Sequence, residues 1–139
     1  MLCVNNYTQE YIDACRGRIQ TQLDAYGAVA NAATGSEAVE GALHTFEPHF
    51  FNNMVLVLEG SFVHRARAKE KKDGNPLNEV RMLSNSLMVG EFLWADKSIN
   101  YKPEKSVLKY NVGDEIKLLR SDFERLAEAF FKEIEAKYL

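Results

Sequence analysis

The closing stretch "SDFERLAEAFFKEIEAKYL" constrains the fold more than any other part of this chain. Phe123, Leu126, Ala127, Phe130, Phe131, Ile134 and Tyr138 recur at three- and four-residue steps, which puts them on one face of an α-helix. Glu128 with Lys132 and Glu133 with Lys137 have the spacing of helix-stabilising pairs on the opposite face. Ser121 and Glu124 have capping-box spacing at its start. So wide an apolar face needs other helices to cover it.

The rest of the chain supplies them. Tyr7, Tyr11, Ile12, Cys15, Ile19, Leu23 and Tyr26 predict a helix over residues 7–31. The spacing of Thr34 and Glu37 predicts a new start, with Ser36 as an alternative cap. Pro48 is expected to end that short helix, because the residue before a proline is pushed out of helical geometry, and to open the next one. The following helix carries Phe51, Met54, Val55, Leu58, Phe62 and Val63, and is expected to run past Gly60 into "VHRARAKEKK". A strand over 54–58 is the alternative for that apolar run. In "KKDGNPLNEV", Gly74 suits the left-handed position and Asn75 suits a cap. Pro76 suits a first helical residue. The helix from Pro76 to about Met88 should then lie antiparallel to its predecessor. Alternation at Leu108, Tyr110 and Val112, then Ile116 and Leu118, with "VGDE" between, predicts a β-hairpin over 98–119. The fold class expected is mainly α: one domain over 1–139, a bundle of about five helices with a short β-hairpin before the last.

At 139 residues the chain can bury a core without staples. Its net charge of -3 argues against a general nucleic-acid or membrane-surface binder. Two cysteines, Cys3 and Cys15, are too few for a disulfide scaffold, and Cys15 falls on a predicted apolar face. No basic segment followed by an apolar run opens the chain, and the longest apolar run is "MVLVL", so a cytoplasmic protein is expected. The segment "FFNNMVLVLEGSFVHRARAKEKKDGNPLNEVRMLSNSLM", followed by "SVLKYNVGDEIKL" and the amphipathic end, resembles a family of small bacterial helical proteins. The resemblance covers about the last two-thirds of the chain. It implies a bacterial helical protein and brings neither an activity nor a catalytic residue.

Three groups of residues are candidates for chemistry. His44 and His49 with Glu40 and Glu47 could serve a metal-dependent or acid/base enzyme; Glu40 and His44 share a helix face. The two histidines stand about 500° apart on an ideal helix, which argues for different faces. Arg65, Arg67, Lys69 and Lys72 could bind an anion or nucleic acid, although Glu70 and Asp73 dilute the run and no aromatic residue interleaves it. A cationic, solvated helix end is the plainer reading. Asn52, Asn53 and Asn85 would form a polar pocket if they face inward. Walker A, G-x-G-x-x-G and G-x-S-x-G motifs are all absent, so the sequence names no cofactor. The phenylalanine doublets at 50–51 and 130–131 point about 100° apart, so one ring of each could meet a ligand or a second subunit. The leading expectation is a non-enzymatic binding or interaction module, self-associating as a homodimer, with a protein or small-ligand partner.

Overall fold

A computed structural model describes residues 3–139. Among them are five α-helices: α1 (Gln9–Ala33), α2 (Glu37–Ser61), α3 (Arg67–Glu70), α4 (Pro76–Leu87) and α5 (Arg120–Tyr138). The fold is mainly helical, as the stripes predict. A three-residue turn joins α1 to α2 and makes them antiparallel neighbours. α1 and α4 each pack on both α2 and α5. The central pair meets through rings: Phe51 lies 5.8 Å from Phe123, and Phe62 lies 5.6 Å from Phe130. All four rings are fully buried, each worth about 1.5–3 kcal/mol of transfer free energy.

The caps follow local chemistry. Thr8 accepts from the Tyr11 amide and starts α1. Gly74 adopts φ +87°, and the Asn75 side chain accepts from the amides of Leu77 and Asn78 to start α4 at Pro76, as the sequence suggests. At α5 the cap differs from the expected one. The helix starts at Arg120, Asp122 accepts from the Leu119 amide, and Glu47 of α2 accepts from the Arg120 amide at 2.8 Å. Residues 54–58 are helical, and Cys15 is buried. The Glu128–Lys132 and Glu133–Lys137 pairs are present.

Two helix boundaries correct the expectation. Pro48 lies inside α2 rather than between two helices. A mid-helix proline costs about 3 kcal/mol, and the residue before it only prefers extended geometry. α2 packs against α1, α4 and α5, with Phe50, two residues past the proline, stacked on Tyr26 of α1 at 5.5 Å, and that packing outweighs the local preference. At the other end α2 stops at Ser61 rather than running on through the basic residues. The chain turns there because Arg65 is drawn inward and Val4 bridges to it, with Val4 N donating to His64 O at 2.8 Å and Ala66 N to Val4 O at 2.8 Å.

The expected hairpin over 98–119 is absent: the described residues contain no strand, only isolated bridges. The "VGDE" turn does form, with Gly113 at φ +96°. The chain leaving it pairs with residues 91–93 instead, through Leu93 N to Asp114 O and Ile116 N to Glu91 O. The groups a hairpin needs are engaged elsewhere. Glu79 of α4 accepts from the amides of Val107 and Leu108 at 2.8 and 3.0 Å. Tyr101 Oη donates to Tyr110 O, and Tyr110 Oη accepts from Lys117 N. Lys109 takes φ 60°, which no regular strand allows.

One part of the fold stands clear of the core. No residue of α2 before Phe51 is buried, and the facing half of α1 buries only Tyr26 and Ala33 after Leu23. The two half-helices form an arm that ends at the 34–36 turn.

Candidate functional site

The α2 face that turns away from α1 forms one wall of a groove of about 730 Å³. His44, Pro48, His49, Asn53 and Leu56 line this wall. The opposite wall is Leu87 at the end of α4, Glu91 in the segment beyond it, and Ile116 and Leu119 of the 115–119 strap. Asn52 fastens the two walls together. Its Nδ2 donates to Ile116 O at 2.8 Å and its Oδ1 accepts from Leu118 N at 3.0 Å. The strap thereby gains partners that a sheet would otherwise supply.

His44 and His49 both line this groove, against the expectation from an ideal helix, and both are exposed. The carboxylates expected beside them do not join them. Glu40 accepts from Gly35 N at 3.2 Å at the arm's tip. Glu47 is engaged by the Arg120 amide. The four residues therefore form no common centre, and no group of three or more histidine, cysteine or acidic residues among the described ones is arranged to hold a metal. His64 lies beyond the end of α2, beside Tyr7 and Tyr11. Of the three asparagines, Asn52 and Asn53 reach the groove. Asn85 is exposed and lines a separate hollow with Val89 and Trp94, so the three do not share one pocket.

The basic run divides in the same way. Arg65 is fully buried, which corrects the reading of this run as a solvated helix end. Its Nη2 reaches Glu59 Oε1 at 3.0 Å and its Nε lies 2.9 Å from Glu70 Oε1. Arg65 also donates to the carbonyls of Phe62 and Leu77. Arg81 donates to both oxygens of Glu70, and Asn78 adds a third bond to that carboxylate at 2.8 Å. Two arginines and two glutamates thus neutralise each other inside the core. Desolvation pushes the Glu59 carboxyl above its usual range, with Arg65 opposing. Desolvation also acts on Glu70, but bonds and charge from Arg81 and Arg65 outweigh it and hold that carboxyl low. Arg65 Nε makes no aligned hydrogen bond despite its short ion-pair distance, the sole such buried side-chain atom among those described. Lys69 is tied to Asn5 O and to Asn6 Oδ1. Of the four candidate cations, only Arg67 and Lys72 are exposed, so the run offers no concentrated anion site.

Sequence reasoning missed the interior cluster and the exposed apolar segment after α4. Glu59, Glu70 and Arg81 carry no pattern that distinguishes them from surface charges. Met88, Val89, Phe92 and Trp94 are 71, 62, 52 and 62 % exposed. Their clustering within seven residues was the available signal. The doublet at 130–131 behaves in the opposite way: both rings are buried within the chain, so α5 offers neither to a second subunit.

The chain matches no family model, and neither a curated protein nor a solved structure is similar enough to count as a match.

Proposed function

We propose that this protein is a non-enzymatic binding module and that the groove along α2 is where its partner sits. The observation that carries this reading is the construction of the groove. A wall of α2 is fastened to an irregular strap by Asn52, while His44, His49, Asn53 and Glu91 on its walls are exposed and Leu56 and Leu87 are half-buried. Concave sites with an apolar floor and a few polar groups are the usual form of ligand pockets. The acid/base enzyme reading has less support, because Glu40 and Glu47 are engaged away from the histidines. Titrating the isotope-labelled protein with a library of small aromatic and aliphatic fragments tests the proposal by NMR. Shifts should concentrate at the amides of Asn53, Leu56, Leu87 and Ile116. Fragments that gather elsewhere, or nowhere, would remove the reading.

A second reading, homodimerisation, is supported by the exposed segment Met88, Val89, Phe92 and Trp94. A monomer seldom leaves so many large apolar groups together in water. Sedimentation across a wide concentration range should show a dimer, and Trp94→Glu with Phe92→Glu should return it to monomer. A wild-type monomer at every concentration would end this reading. A bacterial, cytoplasmic setting belongs to the same proposal; no helix of the described residues is long and apolar enough to cross a membrane.

A further inference from the structure

The far wall of the groove is held without a sheet. None of residues 107–115 is buried, and full burial resumes only at Ile116 and Leu118. Side chains tie this backbone instead. One of them is ionisable and has no part in the groove itself: Glu79 of α4, which is 2 % exposed. Its Oε1 accepts from Val107 N at 2.8 Å and its Oε2 from Leu108 N at 3.0 Å. Two cations act on this carboxylate, Lys109 of the same segment and Arg125 of α5, and both are held by other groups. Lys109 Nζ donates to Glu104 O at 2.9 Å, and Arg125 Nη2 pairs with Asp122 at 2.7 Å. Tyr101 stands near it in the preceding loop, and its hydroxyl, pushed up by burial, stays neutral. Glu79 thus brings its negative charge into the interior against two amides rather than a cation. Burial pushes the carboxyl above its usual range, and those amides and cations offset this only in part.

Glu79 is connected to the groove through Tyr110, two residues beyond Leu108. The Tyr110 hydroxyl accepts from the Lys117 amide at 3.0 Å. Lys117 lies in the groove lining between Ile116 and Leu118, the two residues that Asn52 holds. A segment with few buried side chains opens locally, without unfolding the rest of the chain. We propose that Glu79 is a pH-sensitive latch on this wall, which closes when the carboxyl is neutral and loosens when it is ionised. This rests on the reading of the groove as the binding site and adds its regulation. Solvation sets the direction. With the wall closed the carboxyl is out of water, which favours the neutral form; with the wall open, water reaches it and the ordinary pKa of about 4.3 returns. Charge-assisted bonds from the two amides oppose this and are the smaller effect. The closed state therefore holds the proton more tightly, and opening becomes more frequent as pH rises through the closed-state pKa. Each unit between the closed and open values multiplies the opening constant by about ten.

Hydrogen exchange of the full chain, read amide by amide by NMR and corrected for intrinsic rates, tests this at about pH 4 and about pH 8. From the lower to the higher pH, protection of Val107, Leu108 and Lys117 should fall at least about threefold more than that of Phe130 and Ile134. Those two amides lie in the buried face of α5 and report unfolding of the whole chain. The Glu79 Cδ resonance should titrate with the same midpoint as the loss of protection. Glu79→Gln should abolish the pH dependence at all three amides. Tyr110→Phe should keep it at Val107 and Leu108 and remove it at Lys117. This variant and the Cδ titration carry the test if Glu79→Gln does not fold. Protection that is independent of pH, that rises with pH, or that falls no further than in α5 overturns the latch. So does a Glu79 midpoint that differs from that of the amides, or a pH dependence that survives Glu79→Gln. A Lys117 amide that still responds in Tyr110→Phe refutes the link to the groove wall. Fragments that bind the groove beside an unresponsive segment remove the latch alone. A responsive segment with no fragment at the groove removes the binding reading and leaves the latch.

Discussion

Arg65→Met should be among the most damaging single substitutions in this protein. Methionine keeps most of the arginine stem's volume, so the cavity left behind is small and the cost is mainly electrostatic. Arg65 is fully buried; it donates to Glu59 and to the carbonyls of Phe62 and Leu77, and its Nε forms an ion pair with Glu70. Without it, Glu70 keeps Arg81 and Asn78, but Glu59 retains only Arg81 Nη1 at 3.7 Å. Breaking a buried ion pair by removing one partner costs about 3–5 kcal/mol. Neither carbonyl is orphaned, since Phe62 O keeps the Arg65 backbone amide at 3.1 Å and Leu77 O keeps its helical donor inside α4. Protonation of Glu59, whose carboxyl burial already pushes up, limits the total. A net loss of about 3–5 kcal/mol is expected, against a typical total stability of about 5–15 kcal/mol. Urea unfolding followed by circular dichroism measures it, with an unchanged slope showing that the unfolding reaction is the same. Adding Glu59→Leu to Arg65→Met removes one positive and one negative charge together. The double variant should be more stable than Arg65→Met alone by about 2 kcal/mol, since the matched Glu70–Arg81 pair remains. A loss below about 1 kcal/mol for Arg65→Met, or a double variant as unstable as the sum of its parts, would refute the reasoning.

Glu79 gives a pH test. Desolvation pushes its carboxyl up, and the bonds from Leu108 and Val107, with the charges of Lys109 and Arg125, offset this only in part. Its folded-state pKa lies above the unfolded one, so its stabilising contribution is complete below the unfolded pKa of about 4.3 and is lost as pH rises through the folded value. The stability difference between wild type and Glu79→Gln, from urea titrations at about pH 4 and about pH 8, should therefore favour wild type more at the acid end. A difference that is flat or opposite in sign would contradict it. At Gly74, φ is +87° and an added Cβ would stand 2.5 Å from Asn100 O. Gly74→Ala should lower stability by about 2–4 kcal/mol through left-handed strain and a backbone clash. Gly17→Ala should instead raise it by about 0.5–1 kcal/mol, because Gly17 is inside α1 with nothing within 4 Å of its Cβ position. Thermal unfolding of both variants checks the opposite signs.

Much of the fold was legible because helical stripes are local signals. The face of α5 named from its spacing is the face that is buried, and the Gly74–Asn75–Pro76 start of α4 follows from each residue's own backbone chemistry. The candidate site was legible only in part. His44, His49, Asn52 and Asn53 were singled out by type and do line one groove, but their far wall comes from residues 87–119, which no spacing connects to them. The hairpin prediction failed for a similar reason. Alternation over 108–118 describes which side chains turn inward, and those at Ile116 and Leu118 do, yet it does not say which backbone supplies the partners. Glu79, Asn52 and Tyr101 bind the groups that a ladder would have used.

The sequence by itself determined that the chain is mainly helical, where the turns before α2, before α4 and at Gly113 lie, and which faces are apolar, because those depend on residues within one or two turns of each other. Tertiary structure decided the rest. It kept Pro48 inside a helix, since packing of α2 against α1, α4 and α5 outweighs a local cost of about 3 kcal/mol. It turned Arg65 from a helix-end cation into the centre of a buried ion cluster, because Glu59, Glu70 and Arg81 converge on it from three different segments. And it set the His44–Leu56 face of α2 opposite the 115–119 strap, a juxtaposition of residues more than forty positions apart that Asn52 fastens only once the chain has folded.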